Sequence, residues 1–239
     1  MKLSRILSNE NGISRKQANR SIAAGRVLVD GQPCTDSAAE ISRFQCVIAG
    51  GRIIQQGAVA RYVMLNKPAG YLSATHDTVH PTVMDLLPAE LRDDLHIAGR
   101  LDRATTGLMI LTNDGRWSRC VTEPRIKVPK VYRVTTAYPI GPGTAQRFAD
   151  GIWFAYEQLT TSPATLEPLG PCEVRLTLFE GRYHQVKRMF HAVGNRVTRL
   201  HRERIGDIAL PEDLPPGAYR SLTQAEIRSL RAKDAAGRG

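Results

Sequence analysis

Gly99-Arg100-Leu101-Asp102-Arg103-Ala104-Thr105-Thr106-Gly107-Leu108-Met109-Ile110-Leu111-Thr112-Asn113-Asp114-Gly115 sets one acidic residue between two arginines and then runs into four consecutive apolar residues. The apolar run reads as a buried strand, and the Gly/Thr-rich stretch before it as the loop that feeds it. Loops carried by a rigid sheet are where chemistry is usually placed. Flanking guanidinium groups favour an ionised carboxylate, so Asp102 needs no general base to act as a nucleophile. The competing reading is a structural Asp paired with Arg100 or Arg103, and these residues alone leave both open.

Outward from this segment the pattern is β-rich. Tyr62-Val63-Met64-Leu65 and Ile97-Ala98 precede it, and Tyr132-Arg133-Val134-Thr135 and the alternating Val174-Arg175-Leu176-Thr177-Leu178 follow. The sequence predicts helices over about 144–150 and 182–193. In the second, Val186, Met189, Phe190 and Val193 recur at i, i+3, i+4, i+7 and form a core face. His184, Lys187, Arg188 and His191 repeat the same spacing on the other side, and Gly194-Asn195 ends the helix. Thr223-x-x-Glu226 announces a last helix, with Leu222 and Ile227 as a hydrophobic staple. From Lys233 onward no apolar anchor remains, which predicts a disordered tail over 233–239.

The first 58 residues read as a separate small module. Ser14 is placed to cap a helix, with Gln17 completing a capping box, and Gly25 ends that helix. Val27-Leu28-Val29, a turn at Asp30-Gly31-Gln32 and Cys46-Val47-Ile48-Ala49 add a small β element. Gln55-Gln56-Gly57-Ala58 is the expected linker, with a boundary near residue 58.

The chain has 239 residues, with 33 Lys and Arg against 23 Asp and Glu, net +10. The excess is concentrated. Residues 1–26 carry Lys2, Arg5, Arg15, Lys16, Arg20 and Arg26 against Glu10, and residues 180–204 carry Arg182, Lys187, Arg188, Arg196, Arg199, Arg202 and Arg204 against Glu180 and Glu203. The remainder balances to zero. Two basic blocks on a neutral background fit a polyanion-binding protein, because phosphate contacts dominate non-specific affinity.

Other classes lose their signals. No stretch approaches the roughly 18 apolar residues of a membrane span, and Lys2, Arg5 and Glu10 interrupt any signal peptide, so a cytoplasmic protein without membrane contact is expected. Cys34, Cys46, Cys120 and Cys172 form no metal-binding or disulfide-framework spacing. His76 and His80 lack further ligands, so no metal is expected. No Walker A, G-x-G-x-x-G or G-x-S-x-G sequence calls for a nucleotide cofactor or a serine nucleophile.

Gly99-Arg100-Leu101-Asp102 with Thr106-Gly107-Leu108 resembles the signature loop of RNA pseudouridine synthases of the RsuA/RluA class. Three further segments resemble the same family in the same order: Leu65-Asn66-Lys67-Pro68-Ala69-Gly70-Tyr71, Lys130-Val131-Tyr132-Arg133-Val134, and Glu180-Gly181-Arg182-Tyr183-His184-Gln185-Val186-Lys187-Arg188-Met189-Phe190. The N-terminal module is similar to an S4-like RNA-binding domain. Tyr183 to Phe190 and Leu200-His201-Arg202-Glu203-Arg204-Ile205-Gly206 look closest to the branch acting on small-subunit (16S) ribosomal RNA.

The resemblance implies an α+β protein: an S4-like module over 1–58 and a catalytic domain over 60–232 built on a mixed, mostly antiparallel sheet. It implies site-specific isomerisation of uridine to pseudouridine, without a cofactor, by Asp102. Tyr132 would stack on the target base, where an aromatic face contributes roughly 1–3 kcal/mol. Lys187 would orient Asp102, as a point charge without the fork of arginine, and Arg188 is the second choice for that role. Arg100 and Leu101 support the loop. Arg5, Arg15, Lys16, Arg20, Arg26, Lys67, Arg182, His184 and Gln185 are the expected RNA contacts. The expected partner is ribosomal RNA within a small-subunit assembly intermediate, met by a monomer. Two alternatives stay open at this stage: a large-subunit synthase of the same class, and a non-catalytic RNA-binding assembly factor.

Overall fold

A computed structural model describes residues 1–236, in two compact units that divide between residues 60 and 61. The first unit runs α1 (Leu3–Asn11), α2 (Arg15–Ala23), β1 (Val27–Val29), β2 (Gln32–Pro33), β3 (Val47–Ala49) and β4 (Arg52–Gln55), with the strands in the order β2-β1-β3-β4. Its core is Leu3, Ile6 and Leu7 of α1 against Ala18, Ile22, Val27, Ile41 and Val47. The predicted capping box is present. Ser14 N donates to Gln17 Oε1 at 2.9 Å, and Gln17 N donates to Ser14 Oγ at 3.3 Å. Gly25, at φ 69°, follows the helix.

The stretch expected as a linker is instead packed. Gln55 Nε2 donates to the carbonyls of Ser42 and Gln45 at 2.8 and 2.7 Å, and Ala58 N donates to Arg43 O at 2.8 Å. Polar residues with Gly suggest a linker locally, but their donors are consumed by a turn ten residues upstream.

The second unit comprises β5 (Tyr62–Lys67), α3 (Ala89–Arg92), β6 (His96–Ile97), β7 (Thr106–Thr112), α4 (Gly115–Thr122), β8 (Lys130–Thr136), α5 (Thr144–Asp150), β9 (Trp153–Phe154), β10 (Leu159–Thr160), β11 (Thr165–Gly170), β12 (Glu173–Leu178), α6 (Gln185–Ala192), β13 (Val197–Ile205), β14 (Ile208–Ala209), β15 (Tyr219–Ser221) and α7 (Gln224–Ala236). The main sheet has the order β11-β12-β8-β13-β7-β5-β15, with β14 added to β13 and β6 to β7. Its pairings are antiparallel except for β13 with β7, so the sheet is mixed and mostly antiparallel, as expected.

Both faces of the central strands are covered, which explains their unbroken apolar runs. Val63, Leu65, Met109 and Leu111 join Val134, Leu176, Met189 and Phe190 in one core. Tyr62, Met64, Leu108 and Ile110 join Trp117, Ile205, Ile208, Leu222, Ile227 and Leu230 in the other. Helix α4 was not apparent from composition. Asp114 caps it, accepting from Arg116 N and Trp117 N at 3.0 Å each, and Trp117 Nε1 reaches Ile227 O on α7 at 3.0 Å.

Strand β13 was also missed, because its arginines and histidine hide the period of two, as were α3, β9–β11, β14 and β15. Where β13 meets β7, Gly107 lies at φ +104°, and a Cβ there would stand 2.4 Å from Arg202 O. Only glycine permits that approach. Helix α7 continues to Ala236, past the Lys233 at which a tail was expected, since lysine and alanine are good helix formers. Residues 237–239 of that expectation lie outside the described residues. Among the described residues, no helix is long and apolar enough to cross a membrane.

Candidate active site

The loop bearing Asp102 is fixed from three directions by contacts its own sequence does not contain. At its base, Leu101 is buried in the core, and its backbone both donates to and accepts from the Ser73 hydroxyl. On one side Lys67 Nζ donates to the carbonyls of Pro68, Arg103 and Thr105 at 3.0, 3.1 and 2.8 Å. On the other, the Arg202 guanidinium reaches Leu108 O at 2.8 Å and Arg100 O and Gly99 O at 3.4 Å each. A turn closed by Thr105 N to Asp102 O at 3.0 Å leaves the carboxylate projecting from a rigid frame.

That carboxylate opens onto a cleft of about 560 Å³, whose lining includes Lys130, Tyr132, Tyr183, His184 and Lys187. Lys187 Nζ donates to Asp102 Oδ2 at 2.9 Å, and His184 Nε2 lies 3.4 Å from Oδ1. Arg100 and Arg103 are exposed and neither makes this contact; Arg103 Nε donates to Gly70 O at 3.0 Å. The pairing of Asp102 with its sequence neighbours is therefore not what the fold uses. Tyr132 forms part of the wall from β8, its ring buried against the core yet lining the cleft. His184 adopts φ 50°, a left-handed conformation that is strained for a non-glycine residue, at the entry to α6.

Burial lowers Lys67 to a pKa of about 8, with Asp102 opposing the shift and Arg202 adding to it. Burial, with Arg202 adding to it, likewise lowers Lys130 to about 8. Among the described residues, no group of three or more His, Cys, Asp or Glu is placed to hold a metal ion.

A family model described as RNA pseudouridylate synthase matches residues 61–192, and an S4 domain model matches residues 1–44. The chain belongs to the RNA pseudouridylate synthase family. The ribosomal small subunit pseudouridine synthase A of Pseudomonas aeruginosa is 54% identical over 96% of this chain and 100% of its own length. The protein of the same name from Escherichia coli is 47% identical over the same shares. A crystal structure of a pseudouridylate synthase, 40% identical, superposes with a TM-score of 0.71 over 96% of this chain and 99% of that one. The protein is thus an enzyme, an RNA pseudouridine synthase.

Within this synthase two of the expected RNA contacts, Lys67 and Gln185, turn inward. Lys67 is fully buried and spends its ammonium on three backbone carbonyls, so it clamps the loop. Gln185 is also buried; its Nε2 donates to Glu180 Oε1 at 2.7 Å, and its Oε1 accepts from Arg182 N at 3.0 Å. Arg188, the second choice for orienting Asp102, is held by both oxygens of Glu157 at 2.6 and 2.5 Å and lies over the Phe154 ring. This bidentate pair fixes the guanidinium on Glu157, and the carboxylate of Asp102 is met by Lys187 instead. Arg202, counted among the basic block, is buried and structural.

The other candidates remain accessible. Arg5, Arg15, Lys16, Arg20 and Arg26 are exposed on the first unit, and Arg182 and His184 line the cleft of the second. Sequence reasoning passed over Lys130, although it lies two residues from Tyr132 in a quoted motif; alternation along β8 puts both side chains on one face.

Proposed function

We propose that this synthase isomerises a specific uridine in small-subunit ribosomal RNA, with Asp102 as the catalytic residue. The reaction breaks the C1′–N1 bond, forms C1′–C5, and moves the C5 proton to N1, so atoms balance without oxidant, reductant or donor. Asp102 acts on the sugar, by attack on C1′ or by taking a proton from C2′. The observation that carries the reading is a carboxylate fixed by Lys187 and His184 at a cleft that also contains the aromatic ring of Tyr132. Lys187 orients the carboxylate, and Tyr132 holds the detached base while it turns, because a flat ring permits rotation without escape.

The choice of the small subunit rests on identity to the named relatives along nearly the whole chain, S4 region included. The reacting atoms are unreachable inside a helix, so the uridine must be extruded or unpaired. That requirement favours an assembly intermediate, in which the uridine is not yet locked into a helix, as the substrate. Pseudouridine mapping across the ribosomal RNA of cells lacking this protein tests the reading. One small-subunit position should lose its modification, regain it with the wild-type protein, and not with Asp102→Asn. A lost position in the large subunit instead, or rescue by Asp102→Asn, overturns it.

A further inference from the structure

Tyr183 is a large aromatic residue with 76% of its surface exposed at the cleft that holds Asp102. Its ring lies flat on the imidazole of His184, with centroids 3.9 Å apart and planes within 19°. His184 in turn contacts Asp102 at 3.4 Å. One face of the tyrosine is therefore backed, the other open, and two short contacts separate it from the carboxylate. The main chain beneath is pinned: Arg188 Nη1 donates to Tyr183 O at 3.3 Å while Glu157 grips the same guanidinium. His184 keeps φ 50° at the start of α6, a conformation that the contacts of its ring with Tyr183 and Asp102 help to hold.

We propose that Tyr183, backed by His184, is the stacking platform for the nucleobase adjoining the target uridine. Extruding a uridine deprives its neighbours of a stacking partner, and a rigid aromatic face replaces that partner whatever the base. The target base itself is not the occupant, because Tyr132 already supplies a buried ring on the wall of the cleft, whereas Tyr183 stands open to solvent. The inference rests on the uridine-isomerising reading.

The test pairs the full-length protein with RNA fragments spanning the mapped uridine, intact or carrying an abasic residue immediately 5′ or 3′ of it. Binding and single-turnover conversion are measured for wild type, Tyr183→Phe and Tyr183→Ala. With wild type and Tyr183→Phe, one abasic position should weaken binding about 5- to 150-fold. Tyr183→Ala should lose a similar factor on intact RNA and show no further loss on that abasic RNA. Equal abasic penalties in wild type and Tyr183→Ala at both positions would overturn the proposal. A Tyr183→Ala reaction slower than that of wild type on the abasic RNA as well would overturn it too, by reducing Tyr183 to a prop for His184. Failure of wild type to convert the intact fragment counts against the isomerase reading instead, and the binding comparison still decides the platform.

Discussion

Lys187 Nζ lies 2.9 Å from Asp102 Oδ2 across 85 positions of sequence. The contact joins the loop before β7 to the exposed side of α6, while Met189 and Phe190 on the opposite side of that helix are buried in the core. The amphipathic pattern of α6 thus does two jobs: its apolar face fixes the helix, and its basic face delivers one ammonium to the carboxylate.

Replacing that ammonium should separate orientation from affinity. Lys187→Met is expected to slow single-turnover conversion by about 10²-fold, the penalty for a misplaced reacting group, with RNA affinity changed less than about threefold. Lys187→Arg keeps the charge with different geometry and should fall between. A Met variant within twofold of the wild-type rate would remove the orienting role.

For Tyr132 the ring matters more than the hydroxyl. Tyr132→Phe should convert RNA at nearly the wild-type rate, whereas Tyr132→Leu loses the stacking face, at about 1–3 kcal/mol, and slows conversion accordingly. Rates measured with saturating enzyme distinguish the two. An inactive Phe variant would assign the hydroxyl to proton transfer, and a fully active Leu variant would deny both roles.

The exposed cations of the first unit invite a salt titration. Changing Arg5, Arg15, Lys16, Arg20 and Arg26 together to Gln should lower the slope of log K against log salt by about 2–4, if two to four of them meet phosphates. Turnover at high enzyme concentration should survive, because Asp102, Tyr132 and Lys187 are untouched. An unchanged slope would make these residues ordinary surface charge.

Stability should climb at alkaline pH. Burial holds Lys67 and Lys130 at a pKa of about 8, against the ordinary 10.5 that the unfolded chain presents. Between those values the unfolded chain binds more protons, so folding gains as pH rises through the window, by up to about 1.4 kcal/mol per pH unit for each lysine. Below pH 8 both states are protonated and the contribution is flat. Urea midpoints at several pH values check this, and Lys130→Met should remove about half of the rise; identical pH profiles for the two proteins would contradict the assignment.

The sequence by itself determined what depends on near neighbours. The Ser14–Gln17 box, the 3-4-7 pattern of Val186, Met189, Phe190 and Val193, the Thr223–Glu226 cap and the runs at Tyr62 and Leu108 all lie within single elements, where period and capping chemistry act over a few residues. The order of the four family segments pointed to Asp102 for the same reason, since a loop motif is local. Tertiary structure alone decided which charges remain available. Lys67, Arg188 and Arg202 look like RNA-facing cations in a string of letters, yet a carbonyl cluster, Glu157 and the β7 edge consume them inside the fold. It also decided that His184 joins Lys187, the partner the resemblance implied, at Asp102 while the adjacent arginines turn away, and that β13 runs parallel to β7 through a gap only Gly107 allows. Partners 30 to 100 residues apart are chosen by packing the two faces of one sheet, and no local pattern encodes that choice.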